Sequence, residues 1–199
     1  MLVLLVGYVG GLRPVHLILL GLCLVPLVTY TCVVKVGYRS ERLASFLEGD
    51  ADKSGSGYQA HQSKLALGSG GISGVGLGSS KQKYFFLPAA HTDFILAIIG
   101  EELGFLGCTA VVLAFWYLGW LGLKIARNAP DYYGFLLASG LTMMIVFSGM
   151  LNMAVVAGMI PTTGLPLPFL SYGGTNLIIS FWAVGILNNI SRAHRESKA

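Results

Sequence analysis

Residues 83–107 read KYFFLPAAHTDFILAIIGEELGFLG, a polar loop running into a strongly apolar helix. Asp93 stands at the junction, after Pro88 and His91, and Glu101 and Glu102 follow inside the apolar run. An acid at the centre of a membrane span costs roughly 2.5–3.5 kcal/mol on the insertion scale, so two facing lipid cost about 5–7 kcal/mol. Each apolar neighbour returns only about 0.3–0.6 kcal/mol. The carboxylates must therefore face protein, a wet cavity or the headgroup layer.

That argument assumes a membrane, and the composition supplies one. The 199 residues are 54% hydrophobic and 11% charged, with mean hydropathy +0.70, where a soluble domain carries about a quarter charged residues. The net charge is +4, but the basic residues are scattered between apolar segments. No basic helix or aromatic platform suggests a nucleic-acid partner. Cys23, Cys32 and Cys108 lie in apolar segments without metal spacing and read as small buried hydrophobes. His16, His61 and His194 have no neighbouring ligand pattern, so no structural zinc site is expected. The fold class is an all-α integral membrane protein, a polytopic helical bundle.

The run from Asp93 to Leu123 is too long for one straight span. At about 1.5 Å per residue it reaches some 46 Å, against a hydrocarbon core near 30 Å. Gly104 and Gly107 offer a break. The expectation is a short helix over 92–103 at the interface or re-entering the membrane, then a true span at about 105–124. Further spans are expected at about 15–34, with Pro26 as a kink, at 134–157, which carries the amide Asn152, and at 169–190. Residues 1–9 are apolar but short of the roughly 20 that cross a bilayer, and read as an interfacial stub or, the favoured reading, as the tail of a helix that begins upstream. Between the first and second spans lies a long Gly-rich loop, 37–92, with SGSGYQ at 54–59 as a turn.

Counting Lys and Arg does not fix the orientation. One side has Arg13, Lys124, Arg127, Arg192, Arg195 and Lys198; the other has Lys35 and the basic residues of the long loop. Long loops weigh little in this rule, and the short 158–168 loop has neither Lys nor Arg. The balance favours a cytoplasmic C-terminus, with the long loop outside the cell.

Several constellations carry chemistry. The run GSGGISGVGLGSS at 68–80 lacks the strand context of a dinucleotide fingerprint and the ending of a P-loop. It reads as a flexible hairpin, or as backbone N–H groups around Gly74 and Gly76 that cradle a diphosphate. Asp93 reads as a helix cap, or as a general base at the membrane surface for a sugar hydroxyl. Glu101 falls about 80° around and about 12 Å along the helix from Asp93, and Glu102 nearly opposite. Paired glycosidase carboxylates stand about 5–10 Å apart, so a single base with cationic help fits better. Lys81 and Lys83 are the candidate cations. The loop at 158–174 puts Ser171 and Tyr172 where two spans meet, as a tight turn or as the lining of a cavity.

Taken together, GYQ at 57–59, GSGG at 68–71, GLGSS followed by Lys83, LP..HTDFI at 87–95, EELG at 101–104 and GLPLPFLSYGG at 164–174 resemble the SEDS family. Its members include FtsW, RodA and SpoVE; the GLGSSKQK loop and AIIGEELG look most like the FtsW branch. The resemblance implies ten spans, of which this chain matches the later four and a helix tail. It implies a glycosyltransferase that polymerises lipid II into glycan strands during cell division and releases undecaprenyl diphosphate. The place of action would be the bacterial cytoplasmic membrane, at the division septum. By the same resemblance Asp93 matches the essential acid. Lys83, His91, Gly74, Gly76 and Ser171 would bind substrate, with Pro88, Glu101, Glu102 and Gly104 supporting the site. A class B penicillin-binding protein, other divisome proteins and membrane lipids would be the partners. No nucleotide cofactor is implied; a divalent cation is compatible with such a site. Where the family commonly has Glu after LP, this chain has Ala89, which removes one acid near the site. A lipid II flippase, or a scaffold recruiting the division transpeptidase, are the alternatives. An acid at the outer mouth favours the enzyme, because a transporter's key charge usually lies near the midplane.

Overall fold

The computed structural model describes residues 2–29, 46, 55–82 and 91–196. Its helices are α1 (Leu2–Val9), α2 (Pro14–Thr29), α3 (Gly55–Ser69), α4 (Ile95–Arg127), α5 (Tyr132–Val156) and α6 (Gly174–Glu196), and no strand occurs among the described residues. α4 and α5 are long and apolar enough to cross a membrane. α6 is long enough, but Asn176, Asn188 and Asn189 lower its apolarity. It begins at Gly174 rather than Phe169, because Phe169 takes the left-handed conformation (φ 66°) and turns the chain first. Phe105, Trp116 and Trp182 are 67%, 67% and 75% exposed. Such large outward apolar side chains suit lipid rather than water.

The helices divide into two compact units. The first comprises Met1–Glu41, Leu118–Ile145 and Trp182–Ala199. Pro14 opens α2, where its missing N–H is no loss. The Tyr132 hydroxyl donates to the Gly10 carbonyl at 2.5 Å, tying the α1–α2 turn to the start of α5. Ala126, Ala138 and Leu187 form a small core with Phe135 and Leu141 packed on it. A Cβ on Gly122 would run into Thr142, so α4 and α5 approach as closely as small residues allow. Asn128 Nδ2 donates to the Lys124 carbonyl at 2.8 Å and closes α4. Asp131 Oδ1 then accepts the Gly134 N–H at 3.3 Å and opens α5.

The second unit comprises Arg42–Tyr117 and Val146–Phe181. Here α3 corrects the sequence reading: residues 55–69 are a helix within what reads as loop, and it takes in 55–59 of the expected turn. Glycines at 55 and 57 and a polar composition conceal it. What stabilises α3 is a face of small residues, with Ser63, Ala66 and the following Gly70 all buried. Ser63 Oγ donates to the Val156 carbonyl at 3.1 Å, joining α3 to the end of α5.

The break at Gly104 is real and has a specific cause. Gly104 has φ 66° and ψ −159° inside α4. In an unbroken helix the Phe105 and Leu106 N–H groups would donate to the Glu101 and Glu102 carbonyls. Instead Phe105 donates to Gly71 O at 2.9 Å and Leu106 to Ile72 O at 3.2 Å. The two carbonyls accept from Val75 and Gly76, each at 3.0 Å. The glycine-rich segment is inserted into the helix ladder and satisfies all four groups, each of which would cost several kcal/mol if left bare in a membrane. A Cβ on Gly70, Gly74 or Gly104 would collide with backbone across this crossing. The segment is thus a docked strap, not the flexible hairpin read from its composition.

The cysteines also differ from expectation. Cys23 is exposed and Cys108 half-buried, because the apolar helices that carry them turn apolar faces outward. Cys32 lies outside the described residues.

Candidate active site

Asp93 sits in the turn 91–94, immediately before α4 begins at Ile95. Phe94, Leu96 and Ala97 beside it are buried, while Asp93 itself is half-buried and His91 exposed. The burial of its neighbours fixes the turn from below. Its backbone is fixed from the other side by three consecutive hydrogen bonds. The Tyr172 N–H donates to the His91 carbonyl at 2.8 Å, Ser171 Oγ donates to the Thr92 carbonyl, and Asn152 Nδ2 donates to the Asp93 carbonyl at 2.7 Å.

The same two side chains hold the Pro-rich loop after α5. Asn152 Nδ2 also donates to the Leu165 carbonyl at 2.7 Å, and Ser171 Oγ accepts the Leu167 N–H at 2.7 Å. Ser171 is 4% exposed, with its proton and a lone pair committed to backbone. The hydroxyl expected to bind substrate thus also holds backbone. Asn152 is missing from the sequence-derived site. Its signal was an amide inside an otherwise apolar span, where a polar side chain needs an internal partner.

Glu101 is 3% exposed and faces protein, as the insertion cost requires. Its carboxylate accepts the Ser80 hydroxyl at 2.5 Å, the Lys81 N–H at 3.0 Å and the Gln82 N–H at 3.4 Å. It grips the chain just ahead of Lys83. Lys83 and Pro88 lie outside the described residues. Glu102 is half-buried, with its carbonyl in the strap.

Gly74 and Gly76 do not offer their N–H groups to an anion. The Gly74 N–H donates to Gly70 O at 2.8 Å and the Gly76 N–H to Glu102 O at 3.0 Å. Their positive φ of 80° and 105° shapes the strap. The N–H groups of the expected diphosphate cradle at these two residues are thus engaged with backbone. Among the described residues no group of three or more His, Cys, Asp or Glu comes together to hold a metal.

Beside the bend lies a cavity of about 720 Å³. Leu67, Leu96, Phe105, Met150 and Met153 are among its lining, and its walls are almost wholly apolar. The unit thus combines a half-buried aspartate on a backbone-anchored turn with a space suited to an apolar chain.

A family model described as a cell cycle protein, FtsW/RodA/SpoVE, matches residues 1–196. Stage V sporulation protein E of Bacillus subtilis is 48% identical over 189 residues, which are 94% of this chain and 51% of that protein. A probable peptidoglycan glycosyltransferase FtsW of Trichlorobacter lovleyi is 48% identical over 184 residues, 92% of this chain and 48% of that protein. One solved chain, from work on the structural coordination of polymerization and crosslinking by a peptidoglycan synthase complex, superposes with a TM-score of 0.69 at 27% identity. It is matched over 95% of this chain and 52% of its own length. The chain spans about half the length of the curated relatives it matches. With a family model matching all but the last three residues and all-helical architecture throughout its described part, the chain belongs to the FtsW/RodA/SpoVE family of membrane proteins.

Proposed function

We propose that this chain carries the catalytic aspartate of a peptidoglycan glycosyltransferase that polymerises lipid II into glycan strands. The observation that carries the reading is the Asp93 turn, whose three carbonyls at 91–93 are each held by a hydrogen bond. A general base gains rate when its position is fixed before substrate arrives.

In the proposed reaction Asp93 accepts the proton of the acceptor sugar hydroxyl. That oxygen bonds to the donor's anomeric carbon, the bond from this carbon to the diphosphate breaks, and undecaprenyl diphosphate leaves with the electron pair. Lys83 is the cation for the departing diphosphate; the grip of Glu101 on residues 80–82 supports its placement. His91, exposed on the Asp93 turn, is a substrate contact. The apolar cavity supports a lipid-linked substrate. Ser171, Gly74, Gly76, Glu102 and Gly104 hold the frame. The setting is the bacterial cytoplasmic membrane at the division septum, with the C-terminus in the cytoplasm. The partners are a class B penicillin-binding protein and other divisome proteins.

A second reading, lipid II transport, draws on the broken α4, because interrupted helices line binding sites in transporters. Full-length protein in vesicles with its partner and fluorescent lipid II separates the two. The enzyme yields glycan polymer from lipid II already on the outer leaflet. Movement of lipid II between leaflets without polymer would reject it in favour of transport.

A further inference from the structure

We propose that Asn152 is the positioning residue for Asp93, an inference that rests on the reading of Asp93 as the general base. Asn152 is 1% exposed in the last turns of α5. Both of its recorded hydrogen bonds run from Nδ2, to the Asp93 and Leu165 carbonyls, each at 2.7 Å. Because both partners are carbonyl oxygens, the amide must present its two protons here, and the orientation of the side chain is fixed. Oδ1 is buried and accepts no hydrogen bond.

This is an unusual way to use a buried amide. A side chain retained only to satisfy itself would use both ends. Here one end does all the bonding, and it bridges two segments distant in sequence from Asn152: residue 93 and residue 165 lie 59 and 13 positions away. The Asp93 carbonyl belongs to the turn that precedes α4. Asn152 supplies the donor and thereby fixes the peptide that follows the Asp93 Cα. Ser171 fixes the peptide before it, through the Thr92 carbonyl. Clamping the peptide on each side of the Cα leaves only side-chain rotation to the carboxylate.

Asn152 has no place in the chemistry itself, since its amide is sealed from solvent. Its removal should therefore lower the rate of the chemical step and leave substrate affinity intact. A displacement of about 1 Å at a reacting group costs on the order of 100-fold in rate.

The test is steady-state polymerisation of lipid II by the full-length protein copurified with its penicillin-binding partner. Asn152→Leu is expected to lower kcat about 100-fold with KM unchanged and copurification intact. Asn152→Gln keeps both donors on a longer arm and should retain more of kcat than Asn152→Leu; it also serves if the Leu variant does not fold. In an Asp93→Glu background, whose carboxylate is already displaced, either change should cost less than in the native background, the mark of two residues acting through one function. Wild-type kcat in a folded Asn152 variant, a rise confined to KM, or losses that simply multiply with Asp93→Glu would overturn the inference. Full activity of Asp93→Asn would instead overturn the base assignment, so the two failures are distinguishable.

Discussion

The Glu101 carboxylate accepts the hydroxyl of Ser80, 21 residues earlier in the chain, at 2.5 Å, with both residues buried. It also holds the Lys81 and Gln82 N–H groups. Hydrogen bonds to a charged group contribute about 1.5–3 kcal/mol each. Glu101→Ala is therefore expected to destabilise the folded protein by at least about 2 kcal/mol and to raise amide exchange at 80–82. Thermal melting with peptide-resolved exchange checks both. Unchanged protection at those residues would contradict the anchoring role.

The strap makes a sharper comparison between two glycines. Gly70→Ala would drive a Cβ into the Gly100 carbonyl, whereas a Cβ at Gly68 meets nothing within 4 Å. Gly68→Ala, in the last turn of α3, is expected to be neutral or stabilising by up to about 1 kcal/mol. Gly70→Ala should destabilise by about 1–3 kcal/mol through overpacking and a displaced strap. The two melting curves, measured side by side, should move in opposite directions or differ clearly in size.

Ser171→Ala deletes one hydroxyl but removes a hydrogen bond from each of two backbone groups, the Thr92 carbonyl and the Leu167 N–H. Each buried unsatisfied group costs about 1–3 kcal/mol. The expected outcome is a loss of about 2 kcal/mol or more in stability, with kcat falling and KM for lipid II unchanged. A rise in KM alone would restore Ser171 to the role of a substrate ligand.

Much of this was legible in the sequence because it follows from lengths and charges. The run after Asp93 is too long for one span, which located the bend at Gly104, and the cost of burying Glu101 required a protein partner. What stayed hidden depends on distant backbone. α3 has no strong apolar periodicity and is recognisable only from the Val156 carbonyl that Ser63 meets. The glycines at 70–76 look like a mobile loop or an anion cradle until the broken ladder at 101–106 is seen to need their N–H and C=O groups. Ser171 and Asn152 look like a surface ligand and an isolated amide. Nothing in their local sequence tells that both bond to the Asp93 turn. The motifs identified the family, but the hydrogen bonds by which Asn152 and Ser171 hold the Asp93 turn appear only in the fold.

The central claim is that the Asp93 carboxylate accepts the proton in glycan polymerisation. The most direct measurement is the rate of glycan formation from lipid II by full-length protein with its partner, native against Asp93→Asn. The substitution keeps the side chain's size and removes the base, and general-base catalysis contributes about 100- to 10,000-fold. A loss of that order, with the variant still folded and still bound to its partner, is the predicted result; glycan made at the native rate would contradict the account.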